Sequence, residues 1–420
     1  MVRRRVAITG IGMVSPFGGT TADFFGRMLA AESCIDYYTT DDKPRPLAMP
    51  AVRCKSFDAE AAIGRPLFGT MDRFAQLGYV AAREAWAHAG FDPNDRQEKT
   101  HAGVSWGTAL GGTLAYERGY RDLWQNGRER ITPLSVVLGM NNAASAHIAI
   151  QFGLGNSCLS YTVACASAAA AIGEAYRRIR AGDAKIMLTG GSDAPLCYGV
   201  VRAWEALRVL APGDQESATR ACRPFGVDRG GLVLGEGAAA LVLEDWQHAV
   251  DRGAPILAEL AGYGATADHS HLVRPDTAGQ IRALQLALSD AELQPGQVGY
   301  VNAHGTATPE GDPTEVEALR AVFGARSETL PVSATKSMHG HMMGASGAVE
   351  AVITVLALRQ DALPPTANVD VIDPACAGVR HVLHTPLRGT GARVALSNSF
   401  AFGGSNAVLA VRTDRNNVPT

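Results

Sequence analysis

The sequence lacks any long apolar run, any CxxC pair and any large excess of charge of one sign. No stretch approaches the roughly 20 apolar residues of a membrane span. The first apolar run is broken by Gly10 and Gly12 too early for a signal peptide. A net charge of −3 and a pI near 6.4 give no reason to expect nucleic-acid binding. We therefore expect a cytoplasmic protein with neither membrane nor nucleic acid as a partner.

The seven cysteines are scattered and odd in number, which argues against a disulfide framework or a zinc site and favours a reducing compartment. We predict no bound metal. Gly10 and Gly12 resemble a fragment of a dinucleotide fingerprint, but the third glycine is misplaced and no acidic residue follows at the expected distance. We therefore predict no cofactor.

The chain of 420 residues is long enough for one large core or two fused domains, with an ordinary globular composition of 46% hydrophobic and 19% charged residues. Two segments, 5–12 and 256–264, each read as a buried strand ending in Gly-x-Gly. Small-residue helices are predicted after Cys165 and again at 344–353. We interpret this pattern as a duplication of α/β type, with halves at 1–252 and 253–420.

Cys165 is the first candidate for chemistry. Leu159, Tyr161 and Val163 alternate as in a strand, and the alanine-rich run from Ala166 favours a helix. The pattern predicts that Cys165 lies at a helix N-terminus, where the positive dipole end lowers a thiol pKa. The alternative is a buried structural cysteine, which is common for an isolated one.

Three further stretches could supply partners for this thiol. His304 ends a predicted strand, Lys336 and His341 precede a predicted helix, and residues 397–406 form a Gly/Asn/Ser-rich loop with two phenylalanines. Each histidine alone is more often structural than catalytic. Together with Cys165, they form a nucleophile with proton-handling groups. Pro133 to Phe152 is predicted as one long helix.

Four motifs make the sequence similar to β-ketoacyl-acyl-carrier-protein synthases of the thiolase superfamily, closest to synthase II and the type II polyketide ketosynthases. They are Ala164-Cys165-Ala166-Ser167, Asn302-Ala303-His304-Gly305-Thr306-Ala307-Thr308, Lys336-Ser337-Met338-His339-Gly340-His341 and Asn398-Ser399-Phe400-Ala401-Phe402-Gly403-Gly404. The resemblance implies an α/β thiolase fold, in which duplicated halves form a five-layer α-β-α-β-α sandwich. It also implies a decarboxylative Claisen condensation of an acyl chain on Cys165 with malonyl-acyl-carrier protein, in fatty-acid elongation or polyketide or polyene extension.

The resemblance also implies a role for each motif residue. Catalysis falls to Cys165, His304, His341 and Lys336, and the backbone amides of Cys165 and Phe400 form the oxyanion hole. Substrate binding is assigned to Thr306, Thr308, Phe400, Phe402 and Leu110, with Phe400 gating acyl access. Four residues match positions that can surround a structural monovalent cation: Asn302, Glu350, Ser397 and Asn398.

The implied partner is acyl carrier protein in its acyl and malonyl forms. Residues 66–70 lack the basic side chains that often dock this partner, so docking is assigned to other arginines, such as Arg202 or Arg208, or to a partner subunit. The chain is expected to form a homodimer, or a heterodimer with a chain-length partner. Two alternatives stay open. A non-catalytic partner subunit usually lacks the nucleophile, whereas a coenzyme A thiolase needs a second reactive cysteine, and Cys376 does not lie in a glycine-rich loop.

Overall fold

A computed structural model describes residues 3–413 of the chain. Its strands are β1 Val6–Val14, β2 Asp36–Thr39, β3 Ala48–Ala51, β4 Ala102–Gly107, β5 Cys158–Tyr161, β6 Ile186–Asp193, β7 Gly237–Asp245, β8 Ala258–Ala267, β9 Tyr300–Asn302, β10 Pro331–Ser333, β11 Ala362–Leu363, β12 Arg380–His381, β13 Leu387–Arg388, β14 Val394–Ala401 and β15 Ser405–Arg412.

The α-helices are α1 Thr21–Leu29, α2 Ala59–Ile63, α3 Arg65–Phe68, α4 Arg73–His88, α5 Thr113–Trp124, α6 Ser135–Gly139, α7 Ala143–Phe152, α8 Ser167–Ala181, α9 Tyr198–Ala206, α10 Trp246–Asp251, α11 Thr277–Asp290, α12 Gly311–Phe323, α13 Lys336–His339 and α14 Ser346–Gln360. Among the residues described, no helix is long and apolar enough to cross a membrane.

The sheet repeats one strand order in both halves of the chain. The first half runs β5-β4-β6-β7-β1 and the second runs β10-β9-β14-β15-β8, with β12 added at the outer edge. In each half the first three strands are parallel and the last two pair antiparallel. A short antiparallel pairing of β1 with β8 joins the two halves into one continuous sheet. The duplication predicted from sequence is thus visible in the topology.

Helices cover this sheet in layers. Helix α4 packs on β1 and β7, and α11 packs on β8 and β15. Helices α8 and α14 contact each other and also strands of both halves, so they form a central layer. Most of α14 is buried all round, as expected for a helix between two β layers. The α/β class and the layered thiolase fold expected from the sequence are confirmed.

The Gly-x-Gly repeat has a packing role in both halves. A Cβ on Gly12 would lie 2.3 Å from the carbonyl oxygen of Ala81 in α4, and one on Gly264 would lie 2.1 Å from that of Ala283 in α11. These distances are far below van der Waals contact, so only glycine lets each helix pack this closely on its strand. The glycines serve helix packing.

The long helix predicted over 133–152 is wrong in one respect. The chain forms two helices, α6 and α7, separated at 140–142. The break lies where this segment meets the loop before α5, because a Cβ on Gly112 would be 2.1 Å from the carbonyl oxygen of Leu138. The neighbouring loop, rather than local helix propensity, decides where the helix is interrupted.

Candidate active site

Cys165 lies at the start of the central helix α8. Strand β5 ends at Tyr161, and a single 3₁₀ turn, Ala164–Ala166, leads into the helix. Ala164 is held at φ 48°, a left-handed conformation that is uncommon outside glycine. The predicted strand-to-helix junction is therefore present, and its tight turn fixes the direction of the cysteine.

The second half contains the same turn. The 3₁₀ turn Met343–Ala345 precedes α14, and Met343 has φ 49°. Gly344 occupies the position that Cys165 has in the first half. A Cβ on Gly347 would lie 2.8 Å from the backbone nitrogen of Ala169, so the two helix N-termini approach each other closely. Their meeting brings residues from both halves to the thiol.

Cys165, His304 and His341 form one cluster. The cysteine sulfur and one ring nitrogen of each histidine all lie within 4.8 Å of one another, and all three residues are buried. His304 follows β9, and His341 precedes the turn into α14. The same spacing could accommodate a metal ion, so these three residues are also the candidate ligands for one.

Lys336 fixes the orientation of His304. Its fully buried Nζ donates to the backbone oxygen of His304 at 2.8 Å and lies 3.4 Å from His304 Nδ1, and it forms an ion pair with Glu350. A lysine ammonium only donates hydrogen bonds, so Nδ1 must accept. The proton of the neutral His304 ring is therefore placed on Nε2.

His341 is held in a comparable way. Its Nδ1 lies 2.8 Å from Ser346 Oγ, the first residue of α14, and its buried Nε2 has no hydrogen-bond partner. The His304 and His341 rings are nearly perpendicular, with centroids 5.6 Å apart. An unpaired buried nitrogen is costly unless a ligand satisfies it, which points to a substrate atom beside Cys165.

Burial sets the protonation of this cluster. It holds the pKa of both His304 and His341 well below the ordinary value, with the Lys336 charge acting in the same direction, so both rings are neutral. Burial also raises the pKa of Cys165 to about 12, and the nearby Lys336 offsets only part of this rise. The lowered thiol pKa expected from the helix N-terminus is thus wrong: desolvation is the larger effect, and the resting group is a thiol.

The structure corrects the assignment of one amide. The backbone N–H groups of Cys165 and Phe402 lower the pKa of the Cys165 thiol, so the Phe402 amide is the one that acts on the sulfur. The sequence-based assignment named Phe400 instead. Phe400 belongs to β14, opposite Asn406, and its ring stacks edge-on against His304 with centroids 6.2 Å apart. Phe402 lies in the turn beyond β14, where its amide is free of the strand ladder and its ring stacks on Trp204.

A cavity of about 390 Å³ connects this cluster to the surface. Thr306 and Thr308 line it, and their hydroxyl oxygens lie 3.1 Å apart. Phe400 and Phe402 line it as well. Leu110 does not: its backbone N–H instead donates to buried Asp193. Four of the five predicted substrate-binding residues therefore share one cavity with the thiol, and Leu110 lies outside it.

Arginines near the cavity differ in availability. Arg208 lines the cavity, whereas Arg202 is engaged by Glu205 at 2.6 Å and by the backbone oxygen of Pro46 at 2.7 Å. Arg202 is thus less free to bind an acidic partner than the sequence suggested. Arg274, which the sequence analysis did not single out, also lines this cavity.

A second polar cluster lies behind Lys336. Buried side-chain oxygens of Asn302, Glu350 and Asn398 have no hydrogen-bond partner. Ser397 pairs with Asn302 between β14 and β9. Unpaired carbonyl and carboxylate oxygens are the ligands that hard monovalent cations prefer, and a cation would remove the cost of leaving them unpaired. The donor set therefore fits the cation that the sequence suggested.

Sequence reasoning missed three supporting residues. Glu315 accepts the backbone N–H groups of His304 and Gly305, each at 2.8 Å. Asp193 accepts from the Gly344 N–H at 2.7 Å and so ties the first half to the turn before α14. Ser346 positions His341. The only sequence signal was an acidic or hydroxyl residue at the end of a small-residue run, which is too common to single out.

A buried thiol beside two neutral imidazoles, at the junction of two similar halves, is the arrangement of an enzyme with a cysteine nucleophile. The profile described as Beta-ketoacyl synthase, N-terminal domain, matches residues 3–249, and its C-terminal counterpart matches residues 257–370.

Individual proteins agree with this match. Nodulation protein E of Rhizobium sp. (strain N33) is 42% identical and covers 97% of this chain and 99% of its own. The 3-oxoacyl-[acyl-carrier-protein] synthase 2 of Staphylococcus aureus (strain N315) is 37% identical, over 97% of this chain and 98% of its own. The solved ishigamide ketosynthase/chain length factor is 31% identical with a TM-score of 0.90, covering 98% of this chain and 100% of that one.

The chain belongs to the β-ketoacyl synthase family. It is a condensing acyltransferase, and the alternatives of a non-catalytic partner subunit and a coenzyme A thiolase are not favoured.

Proposed function

We propose that the protein joins an acyl chain on Cys165 to a malonyl unit carried by acyl carrier protein, releasing CO₂ and a β-ketoacyl-carrier protein. The main support is the cluster of Cys165, His304 and His341, whose ligand atoms lie within 4.8 Å of one another beside a cavity of about 390 Å³. The family relative from S. aureus bears a name that specifies an acyl-carrier-protein substrate.

The first step is acyl transfer. Cys165 is a thiol, so its proton passes to solvent in the cavity as sulfur attacks the carbonyl of the incoming thioester. The amides of Cys165 and Phe402 hold the resulting oxyanion. The tetrahedral intermediate collapses, the carbon–sulfur bond to the carrier arm breaks, and the departing sulfur takes a proton from solvent.

The second step is condensation. The malonyl thioester loses CO₂, and the electron pair of the broken carbon–carbon bond moves onto the thioester oxygen as an enolate. Nε2–H groups of His304 and His341 donate to that oxygen, and both rings are neutral in a site where hydrogen bonds are strong. The enolate carbon attacks the acyl carbonyl on Cys165, the carbon–sulfur bond to the cysteine breaks, and the departing cysteine sulfur takes one proton from solvent. Lys336 acts as a positioning residue by holding His304 Nδ1 as an acceptor.

Mass spectrometry of the protein after incubation with acyl-carrier protein tests the proposal. We expect one acyl mass on the peptide that contains Cys165, and its discharge when malonyl-carrier protein is added. The Cys197→Ala variant is the matched control, since that buried cysteine lies outside the cavity around Cys165. Acylation and condensation that persist in Cys165→Ala would contradict the mechanism.

We extend the proposal to the organisation of the protein. The halves divide at 252/253, within the segment that joins α10 to β8, and the first carries the nucleophile while the second carries both histidines. Seven free thiols suit a cytoplasmic location. The chain functions as a dimer, with a second copy or, as in the ishigamide relative, with a chain length factor. A monovalent cation binds at the cluster behind Lys336 described above.

A further inference from the structure

Gln280 is a polar residue in the substrate cavity that the mechanism above does not use. It lies in the first turn of α11, it is 1% exposed, and it lines the same cavity as Cys165. Its side-chain Oε1 has no hydrogen-bond partner in the protein. A buried amide is normally paired, since an unpaired one costs free energy in every folded molecule.

The residues around Gln280 fix its position beside the cavity but form no hydrogen bond with its side-chain Oε1. A Cβ on Gly279 would lie 1.8 Å from Asp268 Oδ1, so glycine lets the first turn of α11 pack directly on Asp268. That carboxylate is already satisfied: Oδ1 accepts from Asn406 Nδ2 at 2.6 Å, and Oδ2 accepts from the Asp276 N–H at 3.1 Å. The neighbouring polar groups are used by one another, and Gln280 Oε1 is left without a partner beside the cavity.

We propose that Gln280 is a positioning residue that pairs with a secondary amide of the carrier arm of the substrate. The inference rests on the proposed function, because it requires a thioester carried on that arm. A primary amide offers one acceptor and two donors, and a secondary amide offers the complementary donor and acceptor. The cavity wall carries both carboxylates, such as Asp268 and Glu315, and guanidinium groups, Arg208 and Arg274, so it presents no single sign of charge to a ligand. A neutral amide is therefore the better match.

The test is a comparison of two acyl thioesters in wild-type protein and Gln280→Met, which keeps the volume and removes the amide. One thioester carries a pantetheine arm with its two amides, and the other carries a plain alkyl thiol. We expect the variant to raise KM about tenfold for the pantetheine thioester in both acylation and condensation, because the variant lacks one hydrogen bond to the arm. The KM for the alkyl thioester and the kcat with either should stay unchanged.

Gln285→Met is the matched control, the same substitution at an exposed position of the same helix. If Gln280→Met does not fold, Gln280→Ala replaces it. Equal effects on both thioesters, or an effect confined to condensation, would overturn the inference. Failure of the wild-type protein to acylate Cys165 would instead refute the proposed function, so the two failures are distinguishable.

Discussion

The buried ion pair between Lys336 and Glu350 makes a quantitative prediction. Both side chains are fully buried, Lys336 also contacts His304, and one Glu350 oxygen has no partner. Lys336→Met removes the ammonium group that is paired with the buried Glu350 carboxylate. Removing one partner of a buried pair costs about 3–5 kcal/mol, whereas removing both costs much less. We expect Lys336→Met to lose about that much unfolding free energy at pH 8, and Lys336→Met/Glu350→Gln to recover part of it.

The stability loss in Lys336→Met should depend on pH through the titration of Glu350. Burial raises the pKa of Glu350 to about 7, and Lys336 is the main group that lowers it. Without Lys336, the pKa of Glu350 in the folded protein rises further above its value in the unfolded chain. Folding is then coupled to proton uptake by Glu350 over a wider pH range. Stability then falls as pH increases through that range. The loss in Lys336→Met should therefore be larger at pH 8 than at pH 6.

Urea denaturation of wild type, both single variants and the double variant at the two pH values checks this prediction. Arg177→Met is the control. It removes the exposed pair with Glu174 and should change stability by less than about 1 kcal/mol. A Lys336→Met stability within about 1 kcal/mol of wild type, or an equal loss at both pH values, would contradict a buried, charge-compensating role for Lys336.

Two further predictions concern the reactive cluster. Because burial raises the pKa of Cys165 to about 12, its alkylation by iodoacetamide, followed on the Cys165 peptide, should accelerate with pH up to at least about pH 10; a plateau between about pH 5 and 8 would mean that the helix terminus dominates. Ser346→Ala removes the hydroxyl 2.8 Å from His341 Nδ1 and should lower kcat for condensation by about tenfold with KM unchanged; an unchanged kcat would show that Ser346 does not orient the ring.

The sequence was sufficient to predict the features of this protein that depend on short stretches of the chain. Strand and helix periods, and the small-residue runs after Cys165 and before α14, are short-range patterns. The Gly-x-Gly echo in β1 and β8 indicated the duplication, although its cause, close packing of α4 and α11, needed the structure. The order of the four motifs was enough to identify the family, because the reacting side chains are few and chemically distinctive.

Tertiary structure decided what depends on register and burial. It placed the Phe402 amide rather than the Phe400 amide at the sulfur, since Phe400 belongs to β14 while Phe402 lies in the turn beyond it. It excluded Leu110 from the cavity and interrupted the helix at 140–142 through a loop distant in sequence.

It also reversed the expected pKa of Cys165. A helix N-terminus can be recognised from local sequence, but the burial of Cys165 by residues of both halves cannot. Burial arises from contacts between residues far apart in the chain.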